Sequence, residues 1–219
     1  SSCHRMLRTH YPSEPLYELG VHLYGFEQVF TRGSAVLGNR GCELFSDEKR
    51  TVRRTGTSVE EVFRVQSNLA CTYEELGRNE DALQMRRDVY SGYLKFKDRE
   101  CEQALVAANN YALSLIKLQR FGEARSLLRK TVLVARRVHG DNQELVTSLR
   151  RNYARVLYDD PGATLDDMRE AVTTLEELER IARRVFGGAH PLTSAIEENL
   201  QGARAKLRAR ETPSPPGSA

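Results

Sequence analysis

The sequence predicts an all-α protein, a right-handed α-solenoid of antiparallel helix pairs. Three observations support this prediction: a polar marker that returns at a fixed interval, an alanine marker in the same register, and two amphipathic segments of helical length within each interval. The alternating β-branched residues that are typical of strands are absent from the sequence. A helix pair of this size cannot bury its apolar face alone, so successive pairs must stack on one another.

The polar marker is an Asn that begins the patterns Asn-Leu-Ala, Asn-Tyr-Ala and Asn-Leu-Gln. It stands at four positions separated by 42, 42 and 47 residues: Asn68, Asn110, Asn152 and Asn199. The alanine marker has spacings of 42 and 47 residues, at Ala82, Ala124 and Ala171. Both series agree if five residues are inserted between Asn152 and Ala171. Pro161 and Gly162 provide a turn there, and a loop tolerates added length at little cost in free energy.

Each interval contains two helical segments joined by a turn. In the middle repeat, apolar residues recur at helical spacing in a first segment, a break follows at Phe121–Gly122, and the same period resumes from Ala124. The residues expected to form the core of the stacked pairs are Leu69, Ala70, Tyr73, Leu76, Ala112, Leu115, Ala154 and Leu157. Alanine is expected wherever two helix backbones approach closely.

Capping signals mark several helix ends. Thr57 or Ser58 before Glu60 and Glu61, and Thr164 with Asp167 three residues on, predict helix N-termini. Gly140 and Gly187 stand where second helices should end, because glycine adopts the left-handed conformation that closes a helix. His190 and Pro191 then predict the start of the last helix, since proline is favoured in a first turn.

The Asn-x-Ala marker, the Glu-Ala turn and the sequence Arg183 to Pro191 resemble the 42-residue tetratricopeptide (TPR) repeats of kinesin light chains and related scaffolds. The resemblance covers about residues 58–210. Residues 1–57 are expected to form an irregular or degenerate N-terminal cap, and residues 211–219, rich in Pro and Ser, a disordered tail. HEAT or armadillo repeats have a similar period and are the alternative; the Asn and Glu-Ala markers favour TPR.

The resemblance implies that the first helix of each pair lines a concave groove and that the Asn column lies there. A carboxamide both donates and accepts hydrogen bonds, so a ladder of them can pair with an extended peptide. The predicted peptide-binding residues are Asn68, Asn109, Asn110, Lys117, Arg151, Asn152 and Arg155. Their cations favour an acidic or C-terminal ligand. The alternative is that the Asn side chains bridge adjacent helices and satisfy buried polar groups.

Composition and motifs favour a non-catalytic scaffold that binds a partner peptide. The sequence contains no G-x-S-x-G or H-E-x-x-H motif, and Cys3, His4, His10 and Cys42 match no zinc spacing, so no cofactor or metal is expected. The isolated cysteines and the lack of a long apolar run predict a cytoplasmic protein that does not enter a membrane. The alternative function is the TPR regulatory part of a larger enzyme or signalling protein.

Nucleic acid is a weaker candidate partner. The 33 basic and 30 acidic residues nearly balance, so only a local patch could attract a phosphate backbone. The candidate surface is the second helix of the middle repeat, which carries Arg120, Arg125, Arg129, Lys130, Arg136 and Arg137. The sequence has no Trp and 7% aromatic residues, which provides few stacking platforms for bases.

Overall fold

The structure is a computed structural model that describes residues 58–212 of the 219-residue chain. Its helices, in chain order, are α1 (Val59–Glu75), α2 (Asn79–Phe96), α3 (Glu102–Lys117), α4 (Phe121–His139), α5 (Glu144–Asp159), α6 (Leu165–Val185) and α7 (Pro191–Glu211). All regular elements in this range are helices, and the predicted all-α solenoid is confirmed. The N-terminal cap, the four candidate zinc ligands and residues 213–219 lie outside the described range.

The chain divides into two compact units, and the division falls within α2, between Met85 and Arg86. In the described part of the first unit, α1 packs on the beginning of α2 through Leu69, Ala70, Tyr73 and Ala82. Leu76 was also expected in this core, but that prediction is wrong, because its side chain is 60% exposed. It follows the last residue of α1, where the chain turns away through Gly77.

The second unit contains a continuous core between successive helices. Each helix from α3 to α7 packs on the next one, and α5 also contacts both α3 and α7. The marker residues Ala124, Ala154 and Ala171 have no exposed surface, as the sequence predicts for close helix crossings. Leu157 joins Ala154 and Ala171 in a cluster with the buried side chains of α6 and α7. The remaining core predictions in this unit, Ala112 and Leu115, are also confirmed.

The predicted helix starts are confirmed as capping boxes. The backbone N–H of Glu61 donates to Ser58 Oγ at 3.2 Å, and that of Ser58 donates to Glu61 Oε2 at 2.9 Å. Thr164 and Asp167 make the equivalent pair, at 3.1 and 2.9 Å. His190 caps α7, and Gly140 follows the last residue of α4. These bonds satisfy backbone groups that a helix end leaves unpaired.

The turn between α3 and α4 lies earlier than the sequence predicts. The expected break at Phe121–Gly122 is wrong, because α4 begins at Phe121. The chain reverses instead at Gln119, which has a φ of 58°, whereas Gly77 at the equivalent position 42 residues earlier has a φ of 76°. A left-handed conformation costs a residue with a Cβ about 1 kcal/mol, so glutamine gives no sequence signal for this turn.

Acid should weaken the start of α6. Hydrogen bonds from Thr164, followed by Arg125 at 2.6 Å, hold the pKa of the Asp167 carboxyl below its ordinary value. A carboxyl with a lowered folded pKa contributes stability above its ordinary pKa and loses it as the pH falls through the lowered value. We therefore expect the free energy of unfolding to decrease as the pH falls below 3.8, and to decrease less in Asp167→Asn. Urea unfolding at a series of pH values measures both.

The matched control is Asp166→Asn, because the neighbouring Asp166 side chain is 93% exposed. It should retain the pH dependence of the parent protein. If Asp167→Asn also follows the parent curve, the Asp167 carboxylate does not contribute to the acid-side loss of stability.

Candidate functional site

The first helices of three successive pairs, α3, α5 and α7, lie side by side on one face of the second unit. The middle helix, α5, contacts both α3 and α7 and also packs on α4 and α6. The helical period places polar and charged residues of α3, α5 and α7 in register on this side. We refer to it as the three-helix face and define it by Asn109, Asn110, Lys117, Arg151, Arg155, Asp159, Glu198 and Lys206.

A pair of carboxamides joins α3 to α5 beneath this face. The side chain of Asn152 is completely buried. Its Nδ2 donates to Asn109 Oδ1 at 2.8 Å, and its Oδ1 accepts a hydrogen bond from Arg151 Nη2 at 3.2 Å. Asn152 therefore has the bridging position that the sequence leaves open as the alternative to groove contact. Asn109 is only half-buried, and its NH₂ group remains as a donor.

The fourth marker residue, Asn199, has a similar position one helix further along. It makes a side-chain hydrogen bond with Tyr158, so it connects α7 to α5 as Asn152 connects α5 to α3. Burial, with a smaller effect of the Asp159 charge, raises the pKa of Tyr158 to about 12. The tyrosine is therefore neutral at physiological pH. In these two repeats the Asn marker has a structural reason, which is to tie each first helix to the preceding one.

Arg151 is the least satisfied cation of the three-helix face. Its side chain is half-buried, and its Nε atom is closed to solvent without a hydrogen-bond acceptor in the described range. No ion pair of Arg151 occurs among residues 58–212, and its Nη2 donates instead to the neutral carboxamide of Asn152. Burial, followed by the nearby charge of Arg155, lowers the pKa of Arg151. The guanidinium still remains protonated, because arginine starts from a very high pKa.

Two cations share one carboxylate at the end of the face. Arg155 Nε lies 3.0 Å from Asp159 Oδ2, and Lys206 Nζ lies 2.6 Å from Asp159 Oδ1. Lys206 also lies 5.2 Å from the ring centroid of Tyr158. Together with Arg151 and Glu198, these groups leave the α5–α7 part of the face with one more positive than negative charge. The local charge favours an anionic partner.

Lys206 was not predicted from the sequence. A signal was present, since Lys117, Asp159 and Lys206 follow the repeat spacings of 42 and 47 residues. The column thus carries a cation, an anion and a cation. This alternation explains how α5 and α7 are linked by charge at a point where the Asn column links them by a hydrogen bond.

The other predicted site residues are dispersed. Asn68 is half-buried on α1, in the first unit. Asn110 is half-buried on α3, and its backbone carbonyl accepts a hydrogen bond from Arg86 Nη1 at 2.8 Å. Lys117 is exposed at the last position of α3. The structure therefore brings Asn109, Arg151 and Asn152 into contact and places Arg155 one turn further along α5.

Residues that could hold a metal ion do not come together in the described range. No group of three or more His, Cys, Asp or Glu side chains there has a suitable arrangement. Between residues 58 and 212, none of the helices combines the length and the apolar character that crossing a membrane requires.

Comparison with known proteins identifies the repeat and the fold. Residues 104–144 match the family model of the tetratricopeptide repeat. A Podosopora anserina protein described as a kinesin light chain with nearly identical TPR-like repeats has a similar structure, with a TM-score of 0.58 and 18% identity over 87% of each chain. A variant of that protein gives a TM-score of 0.60, with the same identity and coverage. No curated protein sequence matches the chain.

Residues 104–144 are thus a TPR repeat, and the chain has the kinesin light chain-like TPR fold that the sequence predicts. They favour TPR over HEAT and armadillo repeats. A TPR array is typically a non-catalytic scaffold for protein–protein interaction, since its stacked helices offer an extended surface to a partner.

Proposed function

We propose that the chain is a non-catalytic adaptor that holds an extended segment of a partner protein on the three-helix face. The observation that carries this proposal is the state of Arg151. Its guanidinium is half-buried, is held by Asn152 and forms no ion pair among residues 58–212, where Glu198 acts on it only through its charge. A cation in this state gains more from a ligand carboxylate than a fully solvated one, because the charge is already partly desolvated.

The proposed contacts divide into two kinds. On the three-helix face, Asn109 and Asn110 offer carboxamides to a peptide backbone, while Arg151, Arg155 and Lys117 offer positive charge to acidic side chains or a C-terminal carboxylate. Asn68, in the first unit, is a separate candidate for a peptide contact of the first kind. Asn152 is buried beneath the face and contributes by positioning Arg151 and Asn109 through hydrogen bonds. We place this adaptor in the cytoplasm, which fits the free thiol of Cys101.

Removing the two α5 cations should weaken binding without unfolding the protein. We expect Arg151→Gln combined with Arg155→Gln to lower the affinity for acidic peptides by about tenfold or more, because charge-assisted hydrogen bonds are lost. The probe is an array of acidic, neutral and basic peptides, whose best binder is then measured by calorimetry. Thermal unfolding should change little, since the remaining Asp159–Lys206 pair still links α5 to α7.

The control for this experiment is Arg208→Gln, which removes an exposed cation in the last turn of α7. It should bind the selected peptide as the parent protein does. Equal affinity of the double variant and the parent, or an equal loss in Arg208→Gln, would contradict the proposed site.

A further inference from the structure

The outer side of α4 carries an exposed leucine, Leu133, that is not part of the buried core. Leu133 is 65% exposed, the largest exposed fraction of any large apolar side chain among residues 58–212. The buried residues Ala124, Leu128 and Ala135 lie on the other side of the helix, which packs on α3 and α5. Leu133 therefore faces away from the core, where an apolar side chain gains nothing from the fold itself.

Four cations surround this leucine. Arg129 and Lys130 lie four and three residues before Leu133, and Arg136 and Arg137 lie three and four residues after it. These offsets bring side chains to the same patch of a helix surface. We refer to the four cations as the basic ring.

Half of the basic ring has no carboxylate partner in the described range. Arg129 and Lys130 make no ion pair there, whereas Arg136 pairs with Asp141 at 2.5 Å and Arg137 pairs with Glu100. Both pairs are solvated: Arg136 and Asp141 are 46% and 42% exposed, and Arg137 and Glu100 are 67% and 47% exposed. Exposed pairs contribute little to stability, so either arginine can exchange its carboxylate for one brought by a partner.

We propose that Leu133 and the basic ring form a second interaction surface, which binds an acidic protein segment carrying one apolar anchor. Charge complementarity selects the segment: carboxylates one helical turn before and after its anchor would meet the four cations while the anchor covers Leu133. The covered leucine then resembles a small interface centre with a charged rim. This surface is distinct from the three-helix face, which is formed by α3, α5 and α7.

A nucleic acid fits this surface less well. The six cations that the sequence places along this region are interrupted by carboxylates, since Arg120 pairs with Glu123 at 2.7 Å and Arg125 with Asp167 at 2.6 Å. A phosphate backbone also gains nothing from an exposed leucine, and α4 has no exposed aromatic side chain for base stacking. An acidic protein segment with an apolar anchor can contact both the basic ring and Leu133.

The experiment measures binding of a labelled helical peptide to the full chain by fluorescence anisotropy. The probe has a central Leu with Glu residues one helical turn on either side, and its matched peptide has Gln in place of each Glu. We expect the Glu peptide to bind and the Gln peptide to bind about tenfold more weakly. Leu133→Ser and the double variant Arg129→Gln, Lys130→Gln should each weaken the Glu peptide by about tenfold, and added NaCl should weaken it further.

Arg208→Gln serves again as the control, because it removes one positive charge from an exposed position on α7. It should bind the Glu peptide as the parent does, and all variants should have parental circular dichroism spectra. The proposal is overturned if the Glu peptide does not bind, or if Leu133→Ser binds it at full strength. It is also overturned if poly(U) RNA or phosphatidylserine vesicles bind more tightly than the peptide with the same dependence on Arg129 and Lys130.

Discussion

Leu157→Ala is expected to lower the free energy of unfolding by about 3 kcal/mol, because it removes a buried side chain from the centre of the second unit. Leu157 is 1% exposed and belongs to the cluster in which α5 meets α6 and α7. Each helix pair is stabilised mainly by its neighbours, so a cavity here weakens two interfaces at once. Urea unfolding followed by circular dichroism measures the loss.

The matched control is Leu76→Ala. Both leucines are core residues according to the sequence, but Leu76 is 60% exposed. Its truncation should change the free energy of unfolding by less than about 0.5 kcal/mol. Similar losses in the two variants would mean that burial in the folded chain does not decide the difference between them.

These two leucines show what the repeat spacing can predict and what it cannot. Spacing identifies which residues share a side of a helix, and it correctly placed Leu157 and the buried alanines. It does not show where the helix ends, because the period continues through the residues of the turn. Leu76 stands one residue beyond α1. Its position in the repeat was therefore predicted correctly, but its burial was not. The turn at Gln119 was missed for a similar reason, because its left-handed backbone follows from the neighbouring helices rather than from its side chain.

The candidate site was predictable as a column of positions but not as a set of contacts. A carboxamide suits a peptide backbone and a neighbouring side chain equally well, so the sequence left both roles open for the Asn marker. The 2.8 Å distance to Asn109 decides for Asn152, and the hydrogen bond to Tyr158 indicates the same bridging role for Asn199. The repeats differ in the residues around the marker, and in the α5 repeat Arg151 Nε has no hydrogen-bond acceptor within the described range.

Asn152→Ala is expected to lower the free energy of unfolding by about 2 kcal/mol. The substitution removes two hydrogen bonds at a site with no solvent access, and it leaves Asn109 Oδ1 without its donor. Asn109→Ala should cost a similar amount, because the buried Nδ2 of Asn152 then lacks an acceptor. If the two residues act as one bridge, the double variant should cost about 1 kcal/mol less than the sum of the single variants.

Asn110→Ala is the control for this cycle, because the Asn110 side chain makes no hydrogen bond within residues 58–212 and only its backbone carbonyl is engaged. It should leave the stability within about 0.5 kcal/mol of the parent, since alanine is also the better helix former. A loss in Asn110→Ala as large as that in Asn152→Ala would contradict the bridge. Peptide affinity separates the roles further: Asn110→Ala should weaken binding alone, whereas Asn152→Ala should weaken binding and stability together, because Arg151 loses the group that holds it.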